Sequence, residues 1–168
     1  MSERQARVIS QEKGIYRIQS GADVKTASVS GKYRYEAVMV ADYPAVGDYV
    51  IAEWQEGDGN AIITRLVPRK SCFIRKAAGK GSREQVVAAN IDTVLMCMSL
   101  NQNFNIRRLE RYLSVTYDSG AAPVVVLTKA DLCPDTESKI AEVQNAAIGV
   151  DVIAVSSLDG DFAAVMPY

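Results

Sequence analysis

At 168 residues, with 19 Lys and Arg against 20 Asp and Glu, the chain has the composition of an ordinary globular protein and the length of one domain or two small ones. The charged start Met1-Ser2-Glu3-Arg4-Gln5-Ala6-Arg7 has no apolar run behind it, which argues against a secretory signal, and no apolar stretch approaches the ~18–20 residues of a membrane span. There is no histidine, and the three cysteines (Cys72, Cys97, Cys133) lie far apart, so a four-ligand zinc site and a Ser-His-Asp triad are both excluded within these residues. The odd, scattered thiols suit a reducing compartment, and the chain reads as a cytoplasmic monomer.

From the start to about residue 68 the sequence is made of short, partly alternating segments broken by turn residues. Residues 6–10 and 15–19 flank Glu12-Lys13-Gly14, a hairpin signal. Residues 25–29 alternate ahead of Ser30-Gly31, and residues 49–54 and 61–66 flank the turn Glu56-Gly57-Asp58-Gly59-Asn60. Five short strands without a convincing helix predict a small closed barrel, with the five-stranded OB-fold as first choice. Tyr16, Tyr33, Tyr35, Tyr43, Tyr49 and Trp54 all fall here; such rings can stack nucleobases or simply fill the core and rim.

Residues 65–83 carry Arg65, Arg69, Lys70, Arg75, Lys76, Lys80 and Arg83 and no acidic residue. That asymmetry points to a phosphate-facing segment, against the plainer reading of a solvated basic loop. We expect residues 69–84 to link an RNA-binding barrel over 1–68 to a second domain over 85–168.

Beyond residue 85 the rhythm changes. The run 91–99 is nearly all apolar, as for a strand covered on both faces. Asn103 or Asn105 can cap a helix in which Ile106, Leu109, Leu113 and Tyr117 recur at helical spacing and which ends near Gly120. Residues 123–127 form a second buried strand. Asp135 can cap another helix to about Ala147, and 150–155 form a third strand. This β-α-β-α-β order calls for a parallel sheet.

Ligands bind at the carboxyl ends of the strands in such sheets. One end runs into Thr128-Lys129-Ala130-Asp131, the next into Ser156-Ser157-Leu158. The first matches the base-reading motif of GTP-binding proteins, Asn/Thr-Lys-x-Asp. Guanine presents two adjacent N–H donors on its Watson–Crick edge, and one fixed carboxylate, here Asp131, accepts both. Adenine offers no such pair. The aliphatic stem of Lys129 can lie on the base face, Thr128 can tie neighbouring loops, and Ser156-Ser157 resembles the Ser-Ala turn whose backbone N–H reaches the guanine oxygen. The competing reading is a helix-capping Asp131 beside a surface lysine. No phosphate loop is present: G-x-x-x-x-G-K-[ST] fails at Gly31-Lys32-Tyr33 and at Gly79-Lys80-Gly81, so the chain holds no catalytic residue for hydrolysis by itself.

A base-reading turn that follows an N-terminal barrel, with no phosphate loop before it, resembles the circularly permuted GTPases, specifically the small-ribosomal-subunit-dependent family (RsgA, also called YjeQ). The likeness is carried by Pro68-Arg69-Lys70-Ser71, Arg75-Lys76-Ala77-Ala78-Gly79, Glu84-Gln85-Val86-Val87-Ala88-Ala89-Asn90-Ile91-Asp92, Asn105-Ile106-Arg107-Arg108-Leu109-Glu110-Arg111-Tyr112-Leu113 and Val125-Val126-Leu127-Thr128-Lys129-Ala130-Asp131-Leu132. The resemblance implies an OB-fold, an incomplete permuted GTPase domain cut before the phosphate loop, and a zinc-binding domain beyond these residues. It implies GTP or GDP with magnesium as ligands, rRNA and the small ribosomal subunit as partners, and GTP hydrolysis late in subunit maturation. The chain is then a fragment of a longer GTPase. The alternative is a non-catalytic RNA- or ribosome-binding module with a degenerate G domain.

Overall fold

In a computed structural model the chain is described at residues 2–55, 57, 59–76, 84–158, 160 and 162–168. It divides into two compact units, Met1–Ile91 and Asp92–Tyr168.

In the first unit, strands β1 (Ser2–Glu12), β2 (Ile15–Ser20), β3 (Asp23–Val29), β4 (Tyr49–Trp54) and β5 (Ala61–Leu66) form a closed barrel in the order β1-β2-β3-β5-β4. An antiparallel β1–β4 pair and a parallel β3–β5 pair complete the ring. Closure removes the free strand edges that an open sheet would present. The alternation read from the sequence becomes the inside of the barrel: Val8, Tyr16, Ile18, Val29, Val50, Trp54 and Ile63 point inward and are buried. The Lys13-Gly14 turn takes left-handed backbone at both residues (φ 46° and 82°) and joins the register partners Glu12 and Ile15, as a two-residue hairpin requires. Of the six aromatic side chains noted above, Tyr16, Tyr33 and Trp54 are buried and Tyr43 packs against the same core, which leaves Tyr35 and Tyr49 exposed.

Between β3 and β4 lies a short helix, α1 (Gly31–Glu36), that the sequence pattern does not predict. It forms because Ser30 caps it, accepting from the Tyr33 N–H at 3.0 Å, and because the Tyr33 ring is pulled into the barrel core. The Tyr33 hydroxyl donates to the Asp42 carbonyl at 2.6 Å, and burial pushes its pKa up to about 12.

The stretch expected to link the domains carries strand β6 (Cys72–Lys76), which pairs antiparallel with β7 (Glu84–Ala89), both within the first unit. The hairpin is fixed to the barrel by Ala89 N–H donating to Val46 O at 2.9 Å and Asn90 Nδ2 to Gly47 O at 3.2 Å. Gly47 has φ 90°, and a Cβ there would stand 2.1 Å from Ala89 O, so only glycine permits this approach.

The second unit is a three-stranded parallel sheet in the order β10-β9-β8, made of β8 (Thr93–Ser99), β9 (Ala122–Thr128) and β10 (Asp151–Val155), with helices α2 (Ile106–Ser119) and α3 (Thr136–Ala146) between them. Asn105 Oδ1 accepts from Arg108 N–H at 2.9 Å and caps α2, Gly120 ends it in left-handed backbone (φ 83°), and Asp135 caps α3. Leu109, Leu113 and Val143 from the helices cover one sheet face, packing on Met96, Met98, Val125 and Leu127. The other face gathers Val124, Val126 and Val155 with Ile153 and Val165. The expectation that the first strand is covered on both faces fails. In β8, Met96 and Met98 are buried while Leu95 is 42% exposed and Cys97 is exposed, because β8 is an edge strand here and the helices sit on one side only. No helix among the described residues is long and apolar enough to cross a membrane.

Candidate functional site

The register of the second unit places its three carboxyl strand ends level. Ser99 of β8 and Val155 of β10 both pair with Thr128 of β9. The residues that follow, Leu100, Lys129 and Ser156, therefore open on one edge, where loops of a parallel sheet collect ligands. Thr128 does tie neighbouring loops, but through its backbone: its carbonyl accepts from Leu100 N–H at 2.8 Å. The loop so anchored is itself braced by Asn101, whose Oδ1 accepts from Ser99 Oγ and from Asn103 N–H, both at 2.9 Å.

Lys129 has left-handed backbone (φ 60°, ψ 41°). For a residue with a Cβ this costs roughly 1–2 kcal/mol, and such cost clusters at functional positions. The turn starts a short 3-10 helix, Ala130–Leu132, with Asp131 in its first turn.

Asp131 and Ser156, 25 residues apart, meet: Ser156 Oγ and Asp131 Oδ1 are 2.8 Å apart. Ser156 is buried (5% exposed), and its hydroxyl oxygen accepts from Leu158 N–H at 3.2 Å. A carboxylate only accepts, so the hydroxyl hydrogen is directed at Asp131. Asp131 is otherwise exposed, so one carboxylate oxygen is held while the outward side stays open to two donors. Ser157, next in the turn, is exposed. The structure thus brings Thr128, Lys129, Asp131, Ser156 and Ser157 to one edge. Ser156 contributes by its side chain, a contact the sequence pattern did not reveal. Its removal should loosen Asp131 without unfolding the unit, so if this edge takes a guanine base Ser156→Ala is expected to weaken guanosine binding about fivefold, the equivalent of about 1 kcal/mol. Nuclear magnetic resonance titration of the chain with guanosine checks this, and an unchanged affinity would show that Asp131 is held by other means.

The basic segment is less uniform than its charge suggests. Arg65, Lys70 and Arg75 are exposed, Lys76 ends β6 opposite Glu84, and Lys80 and Arg83 lie outside the described residues. Arg69 differs from all of these. Its Nε and Nη2 reach the two oxygens of Asp48 at 2.8 and 2.7 Å, Nη1 reaches Ala41 O at 2.7 Å and Cys72 Sγ at 3.9 Å, and Nη2 also reaches Tyr43 O at 2.9 Å. All five donors of the guanidinium are taken by protein acceptors. The hydrogen bonds to Asp48 hold its pKa above the ordinary arginine value. Arg69 therefore clamps the loop between α1 and β4 to the barrel and has no N–H left for phosphate.

Gly31-Lys32-Tyr33, the nearer of the two failed phosphate-loop matches, is the start of α1 on the barrel. Among the described residues no three His, Cys, Asp or Glu side chains stand close enough to hold a metal ion.

A family model described as RsgA GTPase matches residues 66–166. The protein named small ribosomal subunit biogenesis GTPase RsgA 2 of Lactiplantibacillus plantarum is 45% identical over 150 residues, covering 89% of this chain and 42% of that protein. The small ribosomal subunit biogenesis GTPase RsgA of Opitutus terrae is 38% identical over 172 residues, covering 97% of this chain and 47% of that protein. The chain thus spans less than half the length of these relatives. Among solved structures, YjeQ from Thermotoga maritima superposes with a TM-score of 0.77 at 18% identity over 99% of this chain and 56% of the other. YloQ, described as a circularly permuted GTPase, gives 0.74 at 23% identity over the same shares. At these identities the two structures speak for the fold alone.

Proposed function

The chain belongs to the RsgA GTPase family, and we propose that it supplies the RNA-facing barrel and the guanine-reading edge of a cytoplasmic GTPase that acts on the small ribosomal subunit during its maturation. The observation that carries this reading is the Ser156–Asp131 contact across two level strand ends. A helix-capping aspartate needs no such partner, whereas a base-reading carboxylate must be held with its free oxygen lone pairs pointing outward.

Guanine would lie with its N1–H and its 2-amino group on Asp131. Each charge-assisted hydrogen bond contributes about 1.5–3 kcal/mol, so the pair separates guanine from adenine by about a hundredfold or more. The stem of Lys129 would cover one face of the base, and a backbone N–H of the Ser156-Ser157 turn would meet the guanine oxygen. Magnesium and the phosphates belong to the hydrolysis step, and no part of that step is assigned to these residues. Hydrolysis is a property of a protein of the relatives' length.

The barrel and the β6–β7 hairpin would meet rRNA through Arg65, Lys70 and Arg75, with Lys76, Lys80 and Arg83 from the same basic run. Arg69 is left out because its donors are taken. Neutralising Arg65, Lys70 and Arg75 together to Gln should lower the slope of log K against log salt by about 0.9 for each phosphate that is no longer neutralised. Binding of the chain to purified small subunits over a salt series measures it. An unaltered slope would make this run a solvated surface.

A further inference from the structure

A second basic surface lies on α2, in the other unit, and neither the base-reading edge nor the barrel accounts for it. Along this helix Arg107, Arg111 and Val115 form one row at four-residue spacing, and Arg108 and Tyr112 form the row beside it. The opposite side holds the buried Leu109, Leu113 and Thr116, so the Arg107–Arg111 row faces away from the sheet, while Arg108 and Tyr112 flank it and line a small cavity with Met96, Cys97 and Met98 of β8. Among the described residues none of the three arginines makes an ion pair, although Glu110 sits on the same helix. Arg107 and Arg111 are exposed, Tyr112 is 50% exposed, and Arg108 is half-buried with one Nη donating to the Asn103 carbonyl.

The placement works against the helix. Its first turn contains no acidic residue and two arginines, at the end where the helix dipole is positive and cations are disfavoured by about 0.3–1 kcal/mol each. Arg108 answers this with its bond to the Asn103 carbonyl, whereas the exposed Arg107 has no ion pair among the described residues, and a local rule broken in this way points to a contact made elsewhere. We propose that the Arg107–Arg111 row with Tyr112 is an RNA-contact surface of the nucleotide-binding unit, the guanidinium groups meeting phosphates and the tyrosine ring stacking an unpaired base. Arginine offers forked donors for phosphate, and an exposed aromatic ring beside guanidinium groups can stack a splayed base. A membrane surface is disfavoured because the exposed face has Val115 (38% exposed) as its single aliphatic residue and so lacks an apolar stripe. The inference rests on the family reading only in taking the small subunit as the source of the RNA.

The test compares the wild-type chain with Arg107→Gln/Arg111→Gln, Arg107→Lys/Arg111→Lys and Tyr112→Ala, binding purified small ribosomal subunits and a single-stranded uridine oligomer over a salt series. The Gln pair is expected to lower the salt slope by about 1.4 on the single strand, two phosphates at about 0.7 each. Its thermal midpoint should stay level or rise, since the dipole conflict is relieved. The Lys pair should restore the slope. Tyr112→Ala should keep the slope and weaken binding about fivefold or more. If the Gln pair binds both RNAs with the wild-type slope and affinity, the proposal is overturned while barrel binding still stands. Subunit binding that survives ribonuclease yet drops in the Gln pair would assign the row to an acidic protein and also overturn it. A wild-type chain that binds neither RNA would bring down this inference and the family reading of RNA contact together.

Discussion

Asp131→Asn is expected to abolish the proposed preference for guanine and create one for xanthine. The reason lies in the Ser156 hydroxyl. Its oxygen already accepts from Leu158 N–H, and its one hydrogen is given to residue 131, so the arrangement that keeps that donor paired presents an acceptor there. The amide introduced by this substitution would therefore turn its oxygen to Ser156 and leave its nitrogen facing the ligand. Guanine would then set its own amino group against an amide N–H, losing two charge-assisted hydrogen bonds, about 1.5–3 kcal/mol each, and leaving donors unpaired. Xanthine carries a carbonyl at that carbon and accepts from the same amide. Loss of guanosine diphosphate affinity should be about a hundredfold or more, with xanthosine diphosphate binding more tightly than to the wild type. Paired titrations of both nucleotides into both proteins decide it, and a variant that keeps its guanine preference would remove Asp131 from the site. The double variant Asp131→Asn/Ser156→Ala sharpens the result: with the amide free to flip, part of the xanthine preference should disappear.

The parallel-sheet unit was legible because its signals are local and redundant. Val124, Val125, Val126 and Leu127 read as a buried strand and are all buried, and Asn105, Gly120 and Asp135 mark helix ends by a mechanism that needs only neighbouring backbone. The Thr128-Lys129-Ala130-Asp131 turn was legible for the same reason, being four consecutive residues. What escaped depends on residues distant in the chain. Helix α1 has six residues, two of them β-favouring tyrosines, and it exists because Tyr33 finds the barrel core. The β6–β7 hairpin hides in a basic run because its strands are fixed to the barrel through the backbone of Val46 and Gly47. In β8 an apolar run looks the same whether one face is covered or two. Arg69 was indistinguishable by charge from Arg65 or Lys70, since sequence counts guanidinium groups but not the carboxylate 21 residues away that takes one of them inside.

That burial sets up the largest effect expected on stability. Asp48 is fully buried, and its carboxylate accepts from Arg69 Nε and Nη2 and from Ala45 N–H at 2.8 Å. Removing the guanidinium leaves a buried charge with one partner, a loss that costs about 3–5 kcal/mol. Small domains are stable by only about 5–15 kcal/mol, so Arg69→Met should bring the barrel close to unfolding at ambient temperature, with a fall in midpoint of about 12 °C or more. Arg69→Lys is the decisive companion. A phosphate contact survives exchange of one cation for another, but a forked clamp does not: an ammonium cannot hold both Asp48 oxygens and the carbonyls of Ala41 and Tyr43 at once. Arg69→Lys should therefore lose most of what Arg69→Met loses in urea unfolding. Arg69→Met combined with Asp48→Leu should recover part of it, because no charge is then stranded. If the Lys variant were as stable as the wild type, Arg69 would return to the group of residues that face phosphate. If it is destabilised as expected, the basic run divides cleanly by burial: one arginine builds the platform, and the exposed cations around it are free to meet RNA.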